Sequence, residues 1–196
     1  MPVTGSFNTA EIVRGPLTIY LNAPLPADNA VLSLTAGVPA SGLKLGLTVG
    51  GAKINFTYSE SSEEADEVAT PFNKIISAES LSIEAEMYQI EDMTRLAWLT
   101  PNGTYFINAG ATEGLKFGGI TAIPSGAKPS VLAVGPLTSD PSKYLAVQLF
   151  SAINTSGLAW DWTRKKSSSI PVKLEAQAVT TRTAGNQSAI IWKTLA

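Results

Sequence analysis

Two strictly alternating segments on either side of an acidic run constrain the fold more than anything else in this chain. From Lys53 to Ser59, Ile54, Phe56 and Tyr58 share one face, while Lys53, Asn55, Thr57 and Ser59 share the other. From Glu79 to Ile90, Leu81, Ile83, Ala85 and Met87 oppose Ser82, Glu84, Glu86 and Tyr88. A period of two marks a strand with one face in a core and one in a polar setting. Between the two segments, Glu60-Ser61-Ser62-Glu63-Glu64-Ala65-Asp66-Glu67 holds five carboxylates in eight residues and no apolar period. That composition predicts an exposed loop over 60–76, so strand, loop and strand form an extended hairpin.

The rest of the chain is also read as short strands between turn residues. Leu17-Thr18-Ile19-Tyr20-Leu21 alternates between Gly15-Pro16 and Asn22-Ala23-Pro24, a short strand with hard stops. Val31 to Leu34 and Leu43 to Leu47 are weaker strand signals. From Glu91 to Leu99 the spacing turns helical, with Met93, Leu96 and Ala97 on one stripe, acids at the start and Pro101-Asn102-Gly103 at the end. Strand patterns return at Leu145 to Ser151 and at Ile170 to Val179. In the latter, Ile170, Val172, Leu174, Ala176 and Ala178 oppose Lys173, Glu175 and Gln177. The expected outline is one mainly β domain over residues 1–196, with a single short helix tucked between two halves of a sheet.

What the chain lacks narrows its chemistry. It contains no cysteine and no histidine, which removes disulfide frameworks, Cys/His zinc sites, cysteine nucleophiles and serine triads with their usual base. A formal charge of -2 is not the basic excess of a protein that grips nucleic acid. The charged fraction is 15%, below the roughly 25% of ordinary soluble domains, so something other than a charged coat is expected to cover part of the surface. No stretch approaches the ~18 apolar residues of a membrane span, and the start at Met1-Pro2-Val3 lacks a secretory pattern. Manufacture in the cytoplasm is therefore expected, and the Asn-x-Ser/Thr triplets at Asn55, Asn102, Asn154 and Asn186 are expected to go unglycosylated.

The remaining candidates for chemistry are weak. Glu84 and Glu86 are close enough for paired-carboxylate work, but glycosidase pairs usually bracket a cleft from different strands, so a solvated or channel-facing acidic face is the simpler reading. The Glu60 to Glu67 cluster lacks the ligand order and glycine of an EF-hand. Gly110 to Gly119 lacks the Gly-Lys-Ser/Thr ending of a phosphate loop, which leaves turn glycines. Arg164-Lys165-Lys166 is one tripeptide rather than a basic groove. Trp98, Trp160, Trp162 and Trp192 are expected to anchor a core or an interface.

Charge is unevenly distributed along the chain. Residues 60 to 92 hold ten acids and one base, a net of -9, and the remainder carries +7. Such opposite poles suit head-to-tail self-association.

The order of these features resembles the major tail tube proteins of long-tailed, siphovirus-type bacteriophages. The likeness runs through Gly15-Pro16-Leu17-Thr18-Ile19-Tyr20-Leu21, then Phe56-Thr57-Tyr58-Ser59 entering the acidic loop, the long alternating strand and the short helix. It continues in Trp160-Asp161-Trp162-Thr163-Arg164, the strand Ile170 to Ala178 and the turn Thr181-Arg182-Thr183-Ala184-Gly185, and covers about Glu11 to Lys193.

The resemblance implies a tail-tube-type β-sandwich or barrel with one short flanking helix and a long acidic hairpin loop. It implies a non-enzymatic virion protein, without cofactor, assembled in the host cytoplasm. Six copies would close into a ring, and stacked rings would form the conduit for DNA ejection. Partners would be further copies of the chain, the tape-measure, tail-terminator and distal tail proteins, and double-stranded DNA in passage. Four inner strands from each of six subunits, at ~4.8 Å spacing and ~40° tilt, give a barrel roughly 48 Å across, with a bore of about 38 Å inside its side chains. The expected lining is Lys53, Asn55, Thr57, Ser82, Glu84, Glu86, Glu175 and Gln177, a net acidic wall that lets DNA slide. Glu60, Glu63, Glu64, Asp66 and Glu67 would contact the next ring. Other ring-forming parts, such as a contractile-tail or injection-system tube or a tail-completion protein, and a carbohydrate-binding β-sandwich are the alternatives.

Overall fold

The computed structural model describes residues 17–28, 30–46, 48–63, 73–88, 92–100, 103–108, 112–117, 128–137, 140–159 and 169–194. In chain order the strands are β1 (Thr18–Leu21), β2 (Leu34–Thr35), β3 (Val38–Pro39), β4 (Leu43–Lys44), β5 (Thr48–Glu63) and β6 (Asn73–Met87). Helix α1 (Met93–Leu99) follows, then β7 (Gly103–Asn108), β8 (Thr112–Phe117), β9 (Val131–Pro136), β10 (Tyr144–Leu149), β11 (Ala152–Asn154), β12 (Ile170–Ala176) and β13 (Ala189–Lys193). The fold is mainly β, and the described residues form no closed barrel.

Two sheets carry the core. One has the order β13-β10-β9-β1-β4, the other β11-β12-β6-β5. Ile19, Leu21, Val131, Ala133, Val147 and Leu149 of the first meet Leu81, Ile83, Met87, Ile170, Val172 and Leu174 of the second in one apolar cluster. Leu96 and Leu99 of α1 belong to the same cluster, and the helix packs alongside β7 and β8. The helix starts where Asp92 caps it, its carboxylate accepting from the backbone N–H groups of Thr94 at 3.0 Å and Arg95 at 3.1 Å. At the other end, Thr100 Oγ1 donates to the Leu96 carbonyl at 2.7 Å.

Around β1, β9 and β10 the first sheet is buried on both sides. Tyr20, Leu132, Val134 and Ala146 point away from the main cluster and are covered by Ala23, Leu32 and Leu34, with Tyr144 and Trp192 alongside. The alternation read in Leu17 to Leu21 therefore does not mark a solvated face: Tyr20 is as much core as Ile19 and Leu21. The covering segment is tied down by Ser130 Oγ, which donates to the Ala23 carbonyl, and by Gln148 Nε2, which donates to the Pro24 carbonyl at 2.7 Å. Its β2–β3 hairpin turns on Ala36 and Gly37, both at positive φ (50° and 78°), the geometry of a two-residue turn matched to strand twist.

Several expectations change. The acidic segment is not a loop from 60 to 76: β5 and β6 stay paired from Thr57↔Ser80 out to Glu63↔Asn73, and only 64–72 lies outside the described residues. The strand read from Ile170 to Val179 stops at Ala176. Gly114, expected in a turn, lies within β8 opposite Phe106, where an added Cβ would stand 2.7 Å from that ring. Trp98 packs against the main core and Trp192 against the second cluster. Trp160, Trp162 and Arg164-Lys165-Lys166 lie outside the described residues.

Candidate functional site

The second sheet presents two different faces, and the register fixes which residues share each. Lys53 pairs with Glu84 and Glu84 with Lys173; Asn55 pairs with Ser82 and Ser82 with Glu175; Glu86 pairs with Pro171. Directly opposed residues in adjacent strands point to the same side. Lys53, Asn55, Thr57, Ser82, Glu84, Glu86 and Glu175 thus share the polar face opposite the core. Gln177, the last of the expected lining residues, lies past β12, where its backbone N–H donates to the Ser151 carbonyl at 2.7 Å. Ser82 lies on this face but is only 5% exposed, beneath its longer neighbours Asn55 and Glu175.

Polar contacts knit the face together. Lys173 Nζ is 3.7 Å from Glu84 Oε1, Ser80 Oγ donates to Glu175 at 3.2 Å, and Ser169 Oγ donates to Glu86 at 3.2 Å. Glu84 and Glu86 stand two apart on one strand, each with its own partner, and among the described residues no carboxylate faces them from another strand across a cleft. Among the described residues, no three carboxylates converge in a way that could hold a metal ion.

At one margin of the sheet, Asn154 of β11 is buried and works as a junction. Its Nδ2 donates to the carbonyls of Leu99 at 2.9 Å and Gly157 at 3.0 Å, while its Oδ1 accepts from the Lys173 N–H at 3.1 Å. Asn154 of that triplet is thus buried, while Thr155 and Ser156 are exposed. The same bond orients β12: Lys173 directs its N–H toward β11, and so does its carbonyl, which accepts from the Thr155 N–H at 2.8 Å. Pro171, two residues earlier, points its nitrogen the same way, beyond the end of β11, so its missing donor costs no ladder bond.

Carrying that alternation across the ladder gives the orientation of the opposite margin. Ile83 and Ala85 direct their backbone groups to β12, Ser82 and Glu84 direct theirs to β5, and Lys53, Asn55 and Thr57 answer them. The N–H and C=O groups of Ile54, Phe56 and Tyr58 consequently point outward from the sheet. β5 is 16 residues long and terminates the sheet, and no described strand pairs with its outer side. Phe56 and Tyr58, read from sequence as core-facing, lie where the hairpin leaves the sandwich and are 59% and 54% exposed. Their ring centroids are 6.3 Å apart, and Ile76 is exposed further along the arm.

Of the acidic residues assigned to ring stacking, Glu60 and Glu63 are strand residues of β5, paired with Ile76 and Asn73. Glu64, Asp66 and Glu67 lie outside the described residues. No helix among the described residues is long and apolar enough to cross a membrane. The sequence matches no model of a known protein family and no curated protein.

Proposed function

We propose that the chain is a structural subunit of a bacteriophage tail tube, a brick that functions only among copies of itself, six to a ring with rings stacked around a DNA channel. The observation that carries this reading is the four-stranded sheet, buried on one face and polar on the other, which ends in a long strand with outward-pointing backbone groups. At Ile54, Phe56 and Tyr58 no described strand takes up these groups; such an edge is a template for strand addition, and soluble proteins normally blunt or cover it. Closing a ring of subunits pairs every one of them. The polar face then becomes the inner wall, with Lys53, Asn55, Thr57, Glu84, Glu86 and Glu175 toward the bore, and the β5–β6 arm reaches toward the neighbouring ring. Tape-measure, terminator and distal tail proteins are the partners that the resemblance adds to this reading, and the virion tail is the location.

Electron microscopy of the concentrated purified chain tests it. Hollow tubes with a bore of about 38 Å are expected. Replacing Ser61–Ile75 by Asn-Gly, which closes the hairpin at the Glu60↔Ile76 pair, is expected to leave a folded subunit that no longer stacks. A wild-type chain that stays monomeric at every concentration overturns the proposal, and rings that never stack redirect it to a tail-completion role.

A further inference from the structure

Glu84 occupies the centre of a row of three charges that spans three strands. Lys53 stands directly opposite it on β5 and Lys173 directly opposite it on β12. Cross-strand neighbours on one face have Cβ atoms roughly 5 Å apart, so a single carboxylate lies within reach of both ammonium groups, and the Lys173 contact measures 3.7 Å. The two other carboxylates described on this face have partners of their own, Glu86 with Ser169 and Glu175 with Ser80.

The surroundings leave the row accessible. It lies in a shallow depression whose other lining includes Gly51, Ala52, Ser156 and Pro171. A Cβ placed on Gly51 would meet nothing within 4 Å. Lys53 is exposed, and Lys173 and Glu84 retain 44% and 37% of their side-chain exposure. A polyanion laid along this face would thus meet Lys173, already 3.7 Å from the Glu84 carboxylate, and Lys53 in the register position directly across from it.

We infer that Glu84 is a charge mask that keeps Lys53 and Lys173 from gripping double-stranded DNA. The inference rests on the tube reading for its biological setting, since only there does the face meet DNA. Its physics is local. Lysines that neutralise phosphates release condensed counterions, and each phosphate contact steepens the salt dependence of binding by about 0.9 in log–log slope. Glu84→Gln keeps the shape of the side chain and removes only the charge. It raises the local charge by one unit per copy, and by six in a ring of six.

The test is fluorescence anisotropy of a short labelled DNA duplex titrated with the purified chain from low to physiological salt. E84Q is expected to bind roughly tenfold more tightly than wild type at low salt, with a steeper salt dependence. Glu84→Thr, a β-branched replacement suited to a strand, is expected to show the same gain. E84Q combined with K53Q and K173Q is expected to return to wild-type affinity, and Glu79→Gln, an equal charge change on the other face of β6, to stay within about twofold of wild type. No gain in E84Q and E84T, or an equal gain in E79Q, overturns the mask. Tubes without a gain remove the mask and leave the tube reading; a gain in a chain that never assembles removes the tube reading and leaves the mask.

Discussion

The Arg182 guanidinium lies 4.0 Å over the ring of Phe150. From there its nitrogens reach the carbonyls of Asn186 at 3.0 Å, Pro26 at 2.9 Å and Ala27 at 3.3 Å, and the Asp28 carboxylate at 3.2 Å. One side chain thus fastens the segment covering the first sheet to the turn that leads into β13. Its planar fork makes this possible, and lysine cannot reproduce it. Arg182→Ala is expected to destabilise the fold by about 2–4 kcal/mol through lost stacking and orphaned carbonyls. Arg182→Lys is expected to recover less than half of that loss. Chemical denaturation of the monomer reads both.

Asp28 ties the same two segments together. Its carboxyl is held below the usual 3.8, first by the hydrogen bond from the Thr183 N–H and further by the charge of Arg182, against an opposing effect of desolvation. The bond from the Thr183 N–H spans 3.0 Å. A carboxyl depressed on folding contributes stability that is complete above its unfolded value and is lost as pH falls through the folded one. Asp28→Asn, which keeps an acceptor but not the charge, is expected to melt below wild type at neutral pH. The two melting temperatures should converge as pH drops below about 3.8. Scanning calorimetry from pH 7 downward measures the gap, and a gap that widens on acidification contradicts the assignment.

Two glycines with nearly equal backbone angles separate strain from collision. Gly37 has φ +78° and Gly185 has φ +82°, so alanine at either adopts a disfavoured left-handed conformation at a cost of about 1 kcal/mol. A Cβ at Gly37 would lie 2.6 Å from the Tyr144 ring, whereas one at Gly185 meets nothing within 4 Å. Gly185→Ala is expected to cost about 1 kcal/mol and Gly37→Ala about 2–4 kcal/mol. The difference in denaturation midpoint between the two variants reports the ring contact.

Legibility from sequence follows burial. The polar and apolar sides of β6 and β12 were readable because one side of each packs on the core and the other does not, and α1 was readable from Asp92 and the spacing of Leu96. The outer hairpin was not. From Glu60 to Glu63 and on β6 beyond Glu79, the strands run past the sandwich, so ladder bonds hold them without any apolar period to announce it. Phe56 and Tyr58 keep the alternation of a buried strand even though the core ends at Leu81, because the pattern carries the parity of a face and not the extent of what covers it. β9, a run of Val131-Leu132-Ala133-Val134 buried on both sides, carries no such signal, since a strand enclosed on both faces loses its period of two. β7 and β8 were equally unmarked: Phe106 and Gly114 form a cross-strand fit that composition does not signal.

The orientation of the β5 backbone gives a test that separates assembly from folding. Tyr58 directs its N–H outward, whereas Thr57, one residue earlier, directs its own toward β6. Proline removes the donor at whichever position it occupies. Tyr58→Pro therefore removes a donor that no described strand of the subunit pairs with, at a residue 54% exposed. It is expected to leave the melting temperature of the monomer within a few degrees of wild type and to abolish ring or tube formation. Thr57→Pro deletes a bond within the subunit and is expected to cost about 3 kcal/mol in the monomer itself. Calorimetry and sedimentation of the two variants side by side decide the matter: normal assembly by Tyr58→Pro means that the outer edge of β5 is not where copies of the chain join.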